Sequence, residues 1–222
     1  MSDLERGDAL VTILAERRES TATDVEDLLQ LLRRGFPAHR LRRLLESDDV
    51  AVVRTGTALL AELGEQLTSA ATLLPELLAH DDPKVRYYAV QAVLGAGSAH
   101  HGRLAATAAD LVQDPSGPVR RSAARFLAFA PEAQLSAMLP FVSDTRRHEL
   151  LSRLMAGPSA DAIAAHLQAE PVDRLVAAAA AVRLARRDPG PLHDAAASED
   201  DDVRELARVE LEVIEARRRG RP

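Results

Sequence analysis

The sequence contains no cysteine and no tryptophan. Without cysteine there is no disulfide framework, no thiol nucleophile and no cysteine-bound zinc. Aromatic residues fill only 3% of the 222 positions. So few rings argue against a sheet sandwich, whose strands draw on aromatic and β-branched side chains, and favour closely spaced helices built on Ala and Leu. Long apolar runs are also missing. The stretch Ala177 to Ala181 falls far short of the ~18 residues that a membrane span needs. The N-terminus, MSDLERGDALVTILAERRES, is charged and amphipathic and holds no apolar signal core. A soluble, cytoplasmic chain with no membrane partner is therefore expected. Lysine is nearly absent, Lys84 being the only one, and the formal net charge is −6. That balance gives no global pull toward nucleic acid. The preference for Arg over Lys fits a GC-rich coding bias, so the arginine count is not by itself a binding signal.

The signatures of catalysis are missing as well. No G-x-S-x-G elbow occurs, and no glycine-rich phosphate loop follows a strand. Gly95-Ala-Gly97 reads as a helix stop. The seven histidines (His39, His80, His100, His101, His148, His166 and His193) are scattered, and no nearby cysteine or second histidine at helical spacing completes a zinc set around the adjacent His100-His101. Asp200-Asp201-Asp202 lacks the alternating oxygen ligands and the glycine of a calcium loop, and helix capping accounts for it. No catalytic, cofactor-binding or metal-binding residue is assigned, and no cofactor is expected.

What is present is a repeat. Asp81 to Leu94 reads DDPKVRYYAVQAVL, Asp114 to Leu127 reads DPSGPVRRSAARFL, Asp48 to Leu60 reads DDVAVVRTGTALL, and Asp200 to Leu211 reads DDDVRELARVEL. Each has acidic residues, then Val-Arg, then a small residue four positions after the Val: Thr57, Ala89, Ala123 and Ala207. Residues four apart share a helix face, so each Val and its small partner form one stripe where a neighbouring helix approaches closely. The Asp before each unit can cap the helix N-terminus, and Pro83 and Pro115 sit where a missing N–H costs little.

This pattern resembles the HEAT repeat, in particular the short HEAT-like units of phycobilisome lyases. The resemblance implies paired antiparallel helices, A then B, with the motif opening each B helix and Arg54, Arg86, Arg120 and Arg204 bonding to Asp residues of neighbouring units. It also implies that B helices line a concave surface. The expected fold is all-α: a right-handed α-solenoid, or α-α superhelix, of about seven stacked antiparallel helix pairs. With 46% hydrophobic and 28% charged residues and no long linker, one domain over residues 1–222 is expected. Its clearest repeat units are 37–64, 69–95, 101–129 and 190–217.

Apolar periodicity predicts helices over Asp3–Arg18, then from a Thr23 or Asp24 cap to Gly35, Pro37–Glu46, from an Asp48 or Asp49 cap to Leu63, Ser69–His80, Pro83–Leu94, His101–Gln113 and from near Gly117 through Phe129. Beyond Phe129 the Val-Arg motif fades. The rhythm continues over Pro131–Val142, Asp144–Met155, Pro158–Gln168, Pro171–Arg187, Pro191–Ala197 and Asp201–Arg217, and a frayed tail is expected after that.

On a helical wheel at about 100° per residue, the positions two and six after each Val lie opposite the core stripe. They are Thr55 and Leu59, Tyr87 and Gln91, Arg121 and Arg125, Glu205 and Val209. The candidate partner-binding ribbon is Tyr87, Tyr88, Gln91, Arg121, Arg125 and Arg147. Tyrosine brings large contact area at low entropy cost, and arginine forks suit carboxylate or phosphate. Packing readings stand beside these: Tyr88 against the adjacent helix, Tyr87 over a seam between repeats, and the arginines on a solvated face with local acidic partners. The function expected is a non-catalytic scaffold that binds a protein or peptide. The alternative is a DNA-binding or DNA alkylation-repair protein on a HEAT-like scaffold, which the acidic charge and the missing Trp do not favour.

Overall fold

The computed structural model describes residues 1–16, 21–97, 101–155, 157 and 159–219, leaving out the side chains of 65–69, 154 and 155. Arg18, His100 and Pro158, named above, lie outside the described residues. All regular structure described is helical. The helices are α1 (Asp3–Glu16), α2 (Ala22–Arg33), α3 (Arg42–Leu45), α4 (Val50–Ala61), α5 (Leu74–Leu78), α6 (Pro83–Ala96) and α7 (Gly102–Asp110). They continue with α8 (Gly117–Phe129), α9 (Glu132–Met138), α10 (Thr145–Met155), α11 (Ala160–Leu167), α12 (Pro171–Leu184), α13 (Gly190–Ala196) and α14 (Asp201–Arg219). Taken two at a time they are the expected A and B helices of an all-α, solenoid-type fold. The chain divides into two compact units, Met1–Ser98 and Ala99–Pro222.

Within the first unit, α4 is central. It packs on α3 of its own pair and on α6 of the next, while α5 closes against α6. Gly56 permits the α3–α4 approach, because a Cβ there would stand 2.8 Å from Leu44 Cβ. Within the second unit, the A helices pair as α7 with α9 and α11 with α13. The B helices meet differently from a strictly sequential stack. Here α8 packs on α12 and also on α14, and α10 packs on α12.

The stripe forms the core in both units. Val53, Val85, Val119 and Val203 are buried, and Thr57, Ala89, Ala123 and Ala207 are each fully inaccessible. The Thr57 hydroxyl donates to Val53 O at 2.7 Å, which satisfies it without a tertiary partner. Asp49 and Asp82 cap α4 and α6 as expected, by accepting backbone N–H bonds. Asp200 does the same for Asp202 N and Val203 N. Gly97, at φ +54°, ends α6 in the left-handed conformation that glycine favours.

Four expectations are corrected. The cap of α2 is Thr21, not Thr23 or Asp24, and Asp24 completes a reciprocal capping box with it. A helix from Ser69 would place Pro75 in its second turn, where the ring clashes and no N–H is available. The chain instead runs as a 3-10 segment over Gly64–Leu73, and α5 starts so that Pro75 falls in its first turn. Pro140 acts likewise: α9 stops at Met138 and a 3-10 turn follows over Leu139–Phe141. Finally, α14 stays helical through Arg219, its last turn carrying Arg217, Arg218 and Arg219 where cations complement the helix dipole.

Replacing Ala123 by Leu inserts three carbons at a closed contact and should cost about 1–3 kcal/mol. The same change at exposed Ala216 should be nearly neutral. Urea denaturation of both variants measures the difference, and equal stabilities would place Ala123 off the contact.

Candidate functional site

The arginines of the Val-Arg pairs do two jobs, divided among them: Arg86, Arg120 and Arg204 do the first, and Arg54 and Arg120 do the second. The first is to close the loop that leads into the arginine's own helix. Arg86 Nη1 donates to His80 O at 2.7 Å and Asp81 O at 2.8 Å. Arg120 Nη1 donates to Asp114 O at 2.9 Å and Pro115 O at 3.0 Å. Arg204 Nη1 donates to Ser198 O at 2.8 Å and Glu199 O at 3.2 Å. In every case the carbonyls lie six and five residues back. The second job is to bridge repeats. Arg54 Nε donates to Asp82 Oδ1 at 2.9 Å, and its Nη2 pairs with Oδ2 of the same carboxylate.

The device persists where the motif fades. Arg174 Nε donates to Ala169 O at 2.7 Å and its Nη1 lies 4.0 Å from Asp200. Ala177, three positions on, is fully buried as Ala89 is. Asp173 stands where the other copies have Val and takes an ion pair from Arg146 at 2.7 Å. The signal was a helix-register Arg followed by a small residue, hidden by that Val-to-Asp exchange. Arg183 was missed altogether. It reaches from α12 to the C-terminus of α8 and donates to Leu127 O, Ala128 O and Ala130 O. Burial lowers its pKa, which Glu132 partly offsets.

The six ribbon candidates fall into two groups. Tyr87, Tyr88 and Gln91 lie together on α6 in the first unit, all half-buried, with the two rings edge to face at a centroid distance of 5.3 Å. Arg121, Arg125 and Arg147 lie in the second unit, and each has an acidic partner. Arg121 Nη1 bonds Asp202 Oδ1 at 2.6 Å, while Arg120 Nε holds Oδ2 of the same carboxylate at 2.6 Å. Arg125 Nη1 lies 2.8 Å from Glu210 Oε1 and its guanidinium stacks 5.5 Å from the Phe129 ring centre. Arg147 pairs with Asp110. Leu59, counted on the outward face by the wheel, is 2% exposed and belongs to the core, whereas Thr55, Glu205 and Val209 are half-buried.

The pairs of Arg120, Arg121 and Arg125 tie α8 to α14 within the second unit, and that of Arg147 ties α10 to α7. Glu210 is 4% exposed, and burial pushes its carboxyl pKa up, against the pull of Arg125 and Arg217. Beside the Asp202 cluster is a cleft of about 760 Å³ whose walls include Arg120, Arg121, Pro171, Leu175, Asp201 and Asp202. Its charges are largely spent on one another. Among the described residues, no group of three or more His, Asp or Glu side chains is placed to hold a metal ion. His80 Nδ1 accepts from Asp82 N at 2.9 Å, which gives that histidine a role in the loop before α6.

No family model matches the chain. No curated protein matches it either. Among solved structures, a crystal structure of an engineered protein, determined by a structural genomics consortium, superimposes with a TM-score of 0.51. It is 19% identical, and the match covers 97% of this chain and 98% of that one. At that identity the likeness shows the fold alone. Among the described residues, no helix is long and apolar enough to cross a membrane.

The Arg54 guanidinium, helped by the backbone N–H groups of Val85 and Lys84 and opposed by burial, holds the Asp82 carboxyl down at about 2. The ordinary value is about 3.9. The folded-state value is the lower one, so the stabilisation is complete above pH ~5 and is lost as pH falls through the folded value. Asn retains capping ability, so Asp82→Asn isolates the ion pair. It should cost on the order of 1–2 kcal/mol near neutrality. Urea titrations should show its deficit against wild type shrinking as pH drops from 5 toward 2. A deficit independent of pH would assign the loss to capping.

Proposed function

We propose that this protein is a non-catalytic, cytoplasmic helical-repeat scaffold of HEAT-like type that binds a protein or peptide partner on its B-helix side. Repeat folds of this kind expose a row of similar helices over a continuous core, which suits them to extended recognition. One observation carries the reading. The helix α6 buries Val85, Ala89, Ala92 and Val93 almost completely on one face and keeps the chain's two tyrosines half-exposed with Gln91 on the rest. Partly exposed tyrosines on a rigid helix are efficient anchors, because their position is set before binding and few rotamers are lost. The HEAT-like resemblance puts that side of the helix on the concave surface.

The nucleic-acid alternative is less well supported. It drew on an arginine strip, and Arg121, Arg125 and Arg147 are each matched by a carboxylate. A phosphate backbone would have to displace Asp202, Glu210 and Asp110 to reach them.

The test is affinity capture from the native host with wild type, Tyr87→Ala and Tyr87→Ala/Tyr88→Ala, each shown by thermal melt to be folded. A partner held by wild type should bind the double variant at least about tenfold more weakly, the scale of an interface anchor. Equal retention of every captured protein would remove α6 as the recognition helix.

A further inference from the structure

Most described arginines are committed to ion pairs, loop carbonyls or rings, as the preceding contacts show. Arg186, Arg187, Arg217 and Arg218 differ. All four are exposed, and none has a side-chain hydrogen bond or ion pair among the described residues, although Arg217 faces the buried Glu210 electrostatically. They come from two places in the second unit. Arg186 and Arg187 follow the end of α12, and Arg217 and Arg218 lie in the last turn of α14. The two helices pack together, and Arg186, Arg217 and Arg218 border one cleft of about 410 Å³ with Ala185 and Ile214. A local excess of positive charge therefore surrounds a small apolar floor, on a chain whose net charge is −6.

We infer that this cleft at the C-terminal ends of α12 and α14 is a docking site for a short acidic peptide segment of a partner protein, one that carries an apolar side chain between its carboxylates. Arginine forks bind carboxylates with two donors each, and their weak hydration keeps the desolvation cost low. Ile214 and Ala185 give the apolar side chain a surface to cover. Charge complementarity also favours a short acidic segment over nucleic acid. A polynucleotide long enough to gain from many phosphates would run past four arginines onto an acidic molecule, where each further phosphate is repelled. A peptide with a few carboxylates stays within the patch. The inference rests on the reading of the chain as a partner-binding scaffold, but it uses a surface other than α6.

The experiment titrates the full chain with fluorescein-labelled probes: a peptide with two Glu pairs flanking one Leu, the same peptide with Gln for Glu, and single-stranded and duplex DNA of comparable charge. The Glu peptide should bind, weaken with added salt, and lose about tenfold or more in affinity on Arg186→Glu/Arg218→Glu. The milder Arg186→Gln/Arg218→Gln guards against misfolding and should give an intermediate loss. Arg153→Glu, on an exposed residue outside the cleft, and Tyr87→Ala should leave the affinity unchanged. Tyr87→Ala is the variant whose failure bears on the α6 reading, so the two ideas fall separately. No binding of the Glu peptide, equal binding by the charge-reversed chain, or tighter binding of DNA would overturn the inference. So would self-association in sedimentation that Arg186→Glu/Arg218→Glu abolishes, since the cleft would then belong to a second copy.

Discussion

Close contact between B helices through one buried stripe is the constraint on which the rest of the structure depends. Val85 with Ala89, Val119 with Ala123 and Val203 with Ala207 are fully inaccessible, and Val53 with Thr57 nearly so. A small side chain at the point of contact lets two backbones approach, and the Val above it fills the space that remains. Close packing of this kind tolerates little change in volume, which explains how a chain with so few aromatic residues still builds a core. Leu and Ala supply most of the buried surface, and Phe126 is the one aromatic residue among the largest fully buried side chains.

Electrostatics then organises what the stripe brings together. In α6, α8 and α14 the Arg beside the stripe Val sits close to the loop that enters the helix and donates to two of its carbonyls. The same reach lets Arg54 and Arg120 take carboxylates from another helix pair. Arg183 does for the end of α8 what these residues do for helix starts. Salt bridges at such half-buried sites act less as sources of net stability than as selectors of register, because a misplaced neighbour leaves a charge unmatched. In the second unit the carboxylates of Asp202 and Glu210 on α14 meet Arg120, Arg121 and Arg125 on α8. Few arginines remain for other duties, and those at the ends of α12 and α14 stand out for that reason.

The stripe was legible in the sequence because it is periodic and local: four copies of Val, Arg and a small residue were enough to set the buried face of α4, α6, α8 and α14. The bounds of α8 and the start of α12 followed from apolar periodicity, although α12 ends at Leu184 and not at Arg187. The prolines were harder to read. Pro75 and Pro140 sit inside good apolar rhythm, and only the steric cost of the ring shows that the helix must be interrupted there. The outward face was legible in part. Tyr87 and Gln91 emerge as the wheel places them, but Leu59 does not, because a wheel describes one helix and cannot know what covers its far side. The partners of Arg121 and Arg125 lie about eighty residues away in the chain, beyond the reach of any local pattern. Arg174 was hidden by a single exchange of Val for Asp173, and Arg183 has no sequence signature at all.

Native-state hydrogen exchange tests the central claim most directly. If the buried stripe holds the helices together, backbone amides from Val85 to Val93 and from Val119 to Leu127 should open only with global unfolding and exchange together, far more slowly than those of the 3-10 segment Gly64–Leu73. Exchange in α6 and α8 as fast as in that segment, with the chain otherwise folded, would contradict the account.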